Sequence, residues 1–141
     1  MKKVVFTLLA LVLVSCSSSI KQTDNKSLFE VLTQQSDGGA SIRFFEILSE
    51  SNEIAMLQND EKLKDKINAN DIQTSNFIVL NMGEKTTGGY KINVESVVET
   101  EKNIIVTIKE VTPEPGKMVT QEITTPYTIV KIKSKKEIII K

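Results

Sequence analysis

The 141-residue chain contains no histidine, no tryptophan and a single cysteine. Without histidine there is no Ser-His-Asp or Cys-His nucleophile system, and the commonest metal ligand is missing. One cysteine excludes an internal disulfide and a thiolate zinc centre. An excess of charge of one sign is missing too, since 18 lysines and arginines balance 18 aspartates and glutamates. Nucleic-acid binders usually carry a concentrated basic excess, so no nucleic-acid partner is expected. Chemistry on carboxylates, lysine, tyrosine, serine or threonine stays open, but no cluster of these stands out. We expect a non-enzymatic protein with no catalytic residue, no metal and no cofactor.

A long hydrophobic run is also missing. Val4 to Val14 is apolar apart from Thr7, and a spanning helix needs about 20 such residues. Preceded by Lys2 and Lys3, the run has the form of a secretory signal. It ends in Leu13-Val14-Ser15-Cys16, the pattern of a bacterial lipobox, whose cysteine receives diacylglycerol. Residues 1–15 are thus expected to be a lipoprotein signal peptide, and Cys16 the lipidated residue. Cleavage removes two lysines and leaves the mature chain two charges acidic. Each buried methylene contributes ~0.8 kcal/mol, and two or more acyl chains hold a protein stably on a bilayer. The expected location is the cell envelope, lipid-anchored outside the cytoplasm, at the outer membrane where one is present. Residues 16–26 are polar apart from Cys16 itself and Ile20, the composition of a flexible tether.

Residues 27–141 carry a sustained apolar pattern and are long enough for one core. Leu28 to Leu32 and Ile42 to Glu50 read as early strands, with Phe45 and Ile47 on one side and Arg43, Glu46 and Glu50 wet. Glu53 to Ile67 reads as the one helix, with Ile54, Met56, Leu57, Leu63 and Ile67 near one face. Ser51 or Asn52 is placed to cap it. Asn68 to Asp71 reads as a loop. Phe77 to Leu80 is apolar on both faces, as a central strand should be. Tyr90, Ile92 and Val94 alternate with polar residues, as do Ile104, Val106 and Ile108, and the polar stretch 99–103 joins the two as a hairpin. Met118 to Thr124 reads as a weaker strand. Tyr127 to Lys133 and Ile138 to Ile140 read as a closing hairpin around residues 134–136. All six glycines and three prolines fall between these elements. The expected fold class is α+β, mostly antiparallel β, as a sandwich or strongly bent sheet with one short helix.

The one unusual string is Gly83-Glu84-Lys85-Thr86-Thr87-Gly88-Gly89-Tyr90. Its adjacent glycines permit positive φ and close chain approach. It reads either as a strand connection with Tyr90 in the core, or as a recognition loop offering threonine hydroxyls and bare backbone to a partner. It lacks the Gly-Lys-Ser/Thr ending of a phosphate loop. Lysines 131, 133, 135, 136 and 141 against Glu137 read as a solvated hairpin with lysines blunting an edge strand; contact with anionic headgroups or an acidic partner is the alternative.

The string Gly83 to Tyr90, the Pro113 to Gly116 turn, Val119-Thr120-Gln121 and Pro126-Tyr127 occur in an order that resembles the C-terminal domain of PrcB-type protease-complex subunits. Phe29 to Leu32 and Gly39 to Ile42 resemble the start of the same domain, so the resemblance covers roughly residues 27–141. It implies a lipoprotein that helps assemble or stabilise a surface serine-protease complex without supplying catalytic residues. The partner implied is a protein, a secreted serine protease, besides the membrane held through Cys16. The residues nominated for partner binding are Thr86, Thr87, Gly88, Gly89, Tyr90, Pro126 and Tyr127. Two alternatives stand beside this. Thr86-Thr87-Gly88-Gly89-Tyr90 is similar to an inhibitory loop of chagasin-like cysteine-protease inhibitors, which implies direct inhibition. A purely structural envelope lipoprotein is the other.

Overall fold

The computed structural model describes residues 28–141, so the expected signal peptide, Cys16 and the expected tether lie outside the described residues. Seven strands and two helices follow in chain order: β1 (Phe29–Gln35), β2 (Phe44–Leu48), α1 (Ser51–Gln58), α2 (Asp71–Thr74), β3 (Asn76–Asn81), β4 (Lys91–Glu99), β5 (Asn103–Val111), β6 (Tyr127–Ile132) and β7 (Glu137–Ile140). They form a four-stranded sheet of order β1-β6-β3-β2 and a three-stranded sheet of order β4-β5-β7. All pairings are antiparallel except β5 with β7. The fold is α+β and mostly antiparallel β, as the hydrophobic periods predict.

The two faces of the four-stranded sheet bury two different cores. Ile78, Leu80, Val130 and Ile132 meet Ile92, Val97, Ile104, Val106 and Ile138 between the sheets. On the other face, Leu32, Phe77 and Ile129 pack against Ile54, Leu63 and Ile67 from the helical stretch. The doubly apolar run of β3 is explained by this: its alternate side chains serve both cores. A buried hydroxyl ties the sheets together, as Thr128 of β6 donates to the Ile92 carbonyl of β4 at 2.6 Å.

Several elements differ from the expectation. The helix is half its expected length: α1 stops at Gln58, and Asp60 accepts from the Lys62 N–H at 2.7 Å, so the chain turns instead of continuing. Met56 is exposed, while Leu63 and Ile67 reach the core from turns. The helix cap is Glu50, backed by the Glu53 carboxylate accepting from the Ser49 and Glu50 N–H groups, and not Ser51 or Asn52. Residues around Asp71 form a helical turn in place of a loop. Residues 118–124 form no strand; their one β-bridge joins Thr124 to Lys85, outside the named strands.

The last correction concerns the end of the chain. β6 lies between β1 and β3, so both its edges are occupied and no hairpin with β7 can form. The chain crosses instead to the other sheet and pairs parallel with β5. Lys131 is therefore no edge lysine. It stands in a central strand, its side chain 8% exposed, with Glu30 at 3.1 Å and Asp71 at 3.4 Å. Lys136 pairs with Glu99 at 2.8 Å, and the Lys135 ammonium donates to the Ser49 carbonyl.

Candidate functional site

At one end of the four-stranded sheet β1 stops, β2 starts, β3 stops and β6 starts, because Gln35 pairs with Tyr127, Tyr127 with Asn81, and Asn81 with Phe44. Three connections meet there: residues 36–43, 82–90 and 112–126. Backbone bonds weld them into one layer. Gly39 donates to the Thr125 carbonyl at 2.9 Å, and Glu84 donates to the Ser41 carbonyl at 2.9 Å. Lys85 and Thr124 exchange N–H to carbonyl bonds at 2.8 and 2.9 Å, and Gly88 donates to the Thr120 carbonyl at 3.0 Å.

Side chains finish the weld. Asn81 is buried and fully used: its amide donates to the Ala40 carbonyl at 2.8 Å and the Ile42 carbonyl at 2.6 Å, and its Oδ1 accepts from the Ala40 N–H at 3.0 Å. Asp37 Oδ1 accepts from the Thr125 hydroxyl and N–H, 2.9 Å each, and Thr125 Oγ1 accepts from the Gly38 N–H. The Thr125 hydroxyl, then its N–H and that of Gly38, hold the Asp37 carboxyl below its ordinary 3.8. The Thr124 hydroxyl donates to the Thr87 carbonyl at 2.9 Å. Arg43 lies over the Phe45 ring, 4.4 Å from its centroid, and pairs with Glu110 at 2.9 Å.

The nominated residues divide. Gly88 is buried, and a Cβ there would stand 2.3 Å from Thr120 Oγ1, so a side chain at this position requires that hydroxyl to move. Gly89 has φ +89° and lies beside Pro113 and Val119. Tyr90 packs on the core between the sheets, and the Lys85 ammonium sits 5.5 Å from its ring centroid. Pro126 is buried, and its carbonyl accepts from Met82. Tyr127 packs on the helix-side core, so the two tyrosines lie on opposite faces of one sheet and form no joint surface. Thr87 is half-buried, and its hydroxyl donates to the Gly88 carbonyl. Thr86 and Gly89 alone of the set are exposed.

The layer also holds three apolar side chains outward that no sequence motif marks. Ile42 is 77% exposed, Ile123 is 64% exposed and Met118 is fully exposed. Ile42 adjoins Gly83, Ile123 adjoins the Lys85–Thr124 bridge, and Met118 lies in the same 112–126 connection as Ile123, so the three belong to the one loop layer. Ile42 and Met118 open the segments 42–50 and 118–124, both of which read as strands in the sequence.

Chemically the nearest thing to a reactive group is Lys131. Burial pushes its ammonium down, but the Glu30 hydrogen bond and the charges of Asp71 and Glu30 outweigh this and hold it above the ordinary 10.5. A lysine kept protonated is a poor nucleophile. Among the described residues no group of three or more acidic or cysteine side chains is placed to hold a metal ion.

The fold and this end of it define a two-sheet β domain with a rigid, three-loop surface. Residues 76–133, from β3 through β6, match the family model described as PrcB C-terminal. The match takes in Gly83 to Tyr90, the proline turn and Val119 to Tyr127; Phe29 to Leu32 and Gly39 to Ile42 lie before it. No curated protein and no solved structure matches the chain.

Proposed function

We propose that this chain is a non-enzymatic surface lipoprotein, anchored by diacylglycerol on Cys16, whose domain binds a protein as an accessory subunit of a cell-surface protease complex. The observation that carries the reading is the loop layer. Its backbone and polar side chains are spent on one another, yet Ile42, Ile123 and Met118 point to solvent. Apolar side chains held out on a rigid frame suit a protein contact, which gains from burial and loses little chain entropy.

Lys133 donates to the Leu28 carbonyl, so the first described residue lies at the sheet end opposite the loops. The partner class that the family implies is a secreted serine protease. Direct inhibition of a protease by a protruding Thr-Thr-Gly loop is favoured less, because Gly88 is buried against Thr120.

Two experiments test this. Cys16→Ala should abolish partition into the detergent phase of a phase-separating extract; unchanged partition overturns the anchor. Mild-detergent purification from the native host should recover a stoichiometric protease with the wild-type chain, and lose it with Ile42→Asp plus Ile123→Asp at unchanged melting temperature. Equal recovery with that variant overturns the loop layer as the contact.

A further inference from the structure

The two sheets present four edge strands, and three of them are blunted. β1 carries a bulge between Val31 and Thr33. β4 carries a bulge between Val94 and Ser96 and the charges of Lys91 and Glu95. β7 is four residues long and opens with Glu137. Bulges, charges and shortness are the usual devices that stop an edge from recruiting another strand. β2 has none of the first and last. Its five residues pair with Asn81 to Phe77 of β3 in unbroken register, with no proline, no lysine and no bulge.

Alternate residues of an edge strand turn N–H and C=O away from their neighbour. Among the described residues, no backbone group of Phe44 to Leu48 bonds to anything but β3. Phe44 and Ile47 are each 36% exposed, on opposite faces of the strand. Glu46, the only charge on β2, has no ion-pair partner among the described residues, whereas Arg43 just before the strand is already paired with Glu110.

We propose that β2 is a strand-addition site, and that its occupant is an extended segment of a partner protein with a lysine or arginine opposite Glu46 and apolar residues two positions to either side. This rests on the reading that the domain binds a protein, and it names the edge and the chemistry by which that protein is held. Main-chain bonds supply affinity in this mode, and the facing side chains supply selection. Glu46 argues against a second copy of this chain as occupant. Two antiparallel β2 strands paired over all five residues would set Glu46 against Glu46, and like charges directly opposite are destabilising.

The probe is a capped peptide, Thr-Val-Thr-Lys-Thr-Val-Thr, which places lysine opposite Glu46 and valines opposite Phe44 and Leu48 in either strand direction. With the full mature chain, it should slow amide hydrogen exchange at alternate residues of Phe44 to Leu48, saturably. The same peptide with a central glutamate should bind about 1.4- to fivefold more weakly, the range of one cross-strand pair. Glu46→Lys should reverse that preference and Glu46→Gln should remove it, so the result does not depend on one variant. Methylating alternate peptide nitrogens should abolish protection. Protection confined to residues 83–90, no protection, or an unreversed preference with Glu46→Lys overturns the proposal. So does β2 protection before any peptide is added, which would mean the tether or a second copy already lies there. Recovery of the protease by the loop layer without β2 protection would leave the protein-binding reading standing and remove β2 from it.

Discussion

The Asp37 carboxylate accepts both the hydroxyl and the N–H of Thr125 through one oxygen, at 2.9 Å each, and so staples the first loop to the third. A carboxyl whose pKa is lowered on folding stabilises the fold above its unfolded value, and the contribution is lost as pH falls through the folded value. Asp37 lies below its ordinary 3.8. The melting temperature of wild type should therefore exceed that of Asp37→Ala above about pH 5, and the gap should close as pH drops below 3.8. A gap of constant size down to about pH 2 would show that the staple does not depend on the charge.

Lys131 responds with the opposite sign. Its pKa is raised on folding, so its contribution is full below the ordinary 10.5 and is lost as pH rises through the folded value. Lys131→Met leaves the Asp71 carboxylate buried without a cation. Breaking such a pair costs about 3–5 kcal/mol, and the half-exposed Glu30 places this one toward the lower figure. Urea denaturation near neutral pH measures the loss, which should shrink in alkaline solution above 10.5.

Gly88 and Thr120 should be coupled. Gly88→Ala places a methyl 2.3 Å from Thr120 Oγ1, with the next atoms of Thr120 at 3.6 and 3.8 Å, ordinary contact distances. The single change should cost about 1–3 kcal/mol. Thr120→Ala removes the offending oxygen, so the double variant should recover most of that loss, and the cycle should give a coupling above about 0.5 kcal/mol. Additive losses would mean that the loop is strained elsewhere.

How far the fold was legible depends on whether a residue's neighbours are local. Phe77 to Leu80 gave away a central strand, since only two covered faces explain an unbroken apolar run. The hairpin at 99–103 was equally readable, and Thr100 and Asn103 close it by their own bonds. The place of β7 was not readable. Ile138 to Ile140 marks a strand, but which strand it joins depends on both edges of β6 being taken by residues over 40 positions away. Lys131 misled for the same reason: in a run of lysines it looks wet, and its partners Glu30 and Asp71 come from other elements. Of the candidate site, the glycine string was visible as a special loop, yet its glycines and Tyr90 serve packing. The exposed Ile42, Ile123 and Met118 carried no local signal. Buried Asn81 carried one only in hindsight, as an amide closing an apolar strand.

Tyr90 and the threonines beside it should separate cleanly in stability. Thr86 is exposed, and the Thr87 hydroxyl reaches only the neighbouring carbonyl, so Thr86→Ala with Thr87→Ala should change stability by about 0.5 kcal/mol or less. Tyr90→Ala removes a half-buried ring from the core between the sheets and should cost roughly 2 kcal/mol, below the range for a fully buried aromatic. Chemical denaturation of the three proteins checks this.

Protein binding through the loop layer is decided by what touches that layer in the cell. A photo-crosslinking residue at position 123, in the full chain in its native host, tests this directly, with the same residue at exposed Lys102 at the sheet hairpin as control. Position 123 should give one dominant adduct, identified by mass spectrometry as a secreted protease, and position 102 none. No adduct at position 123, or the same adducts from both positions, would contradict it.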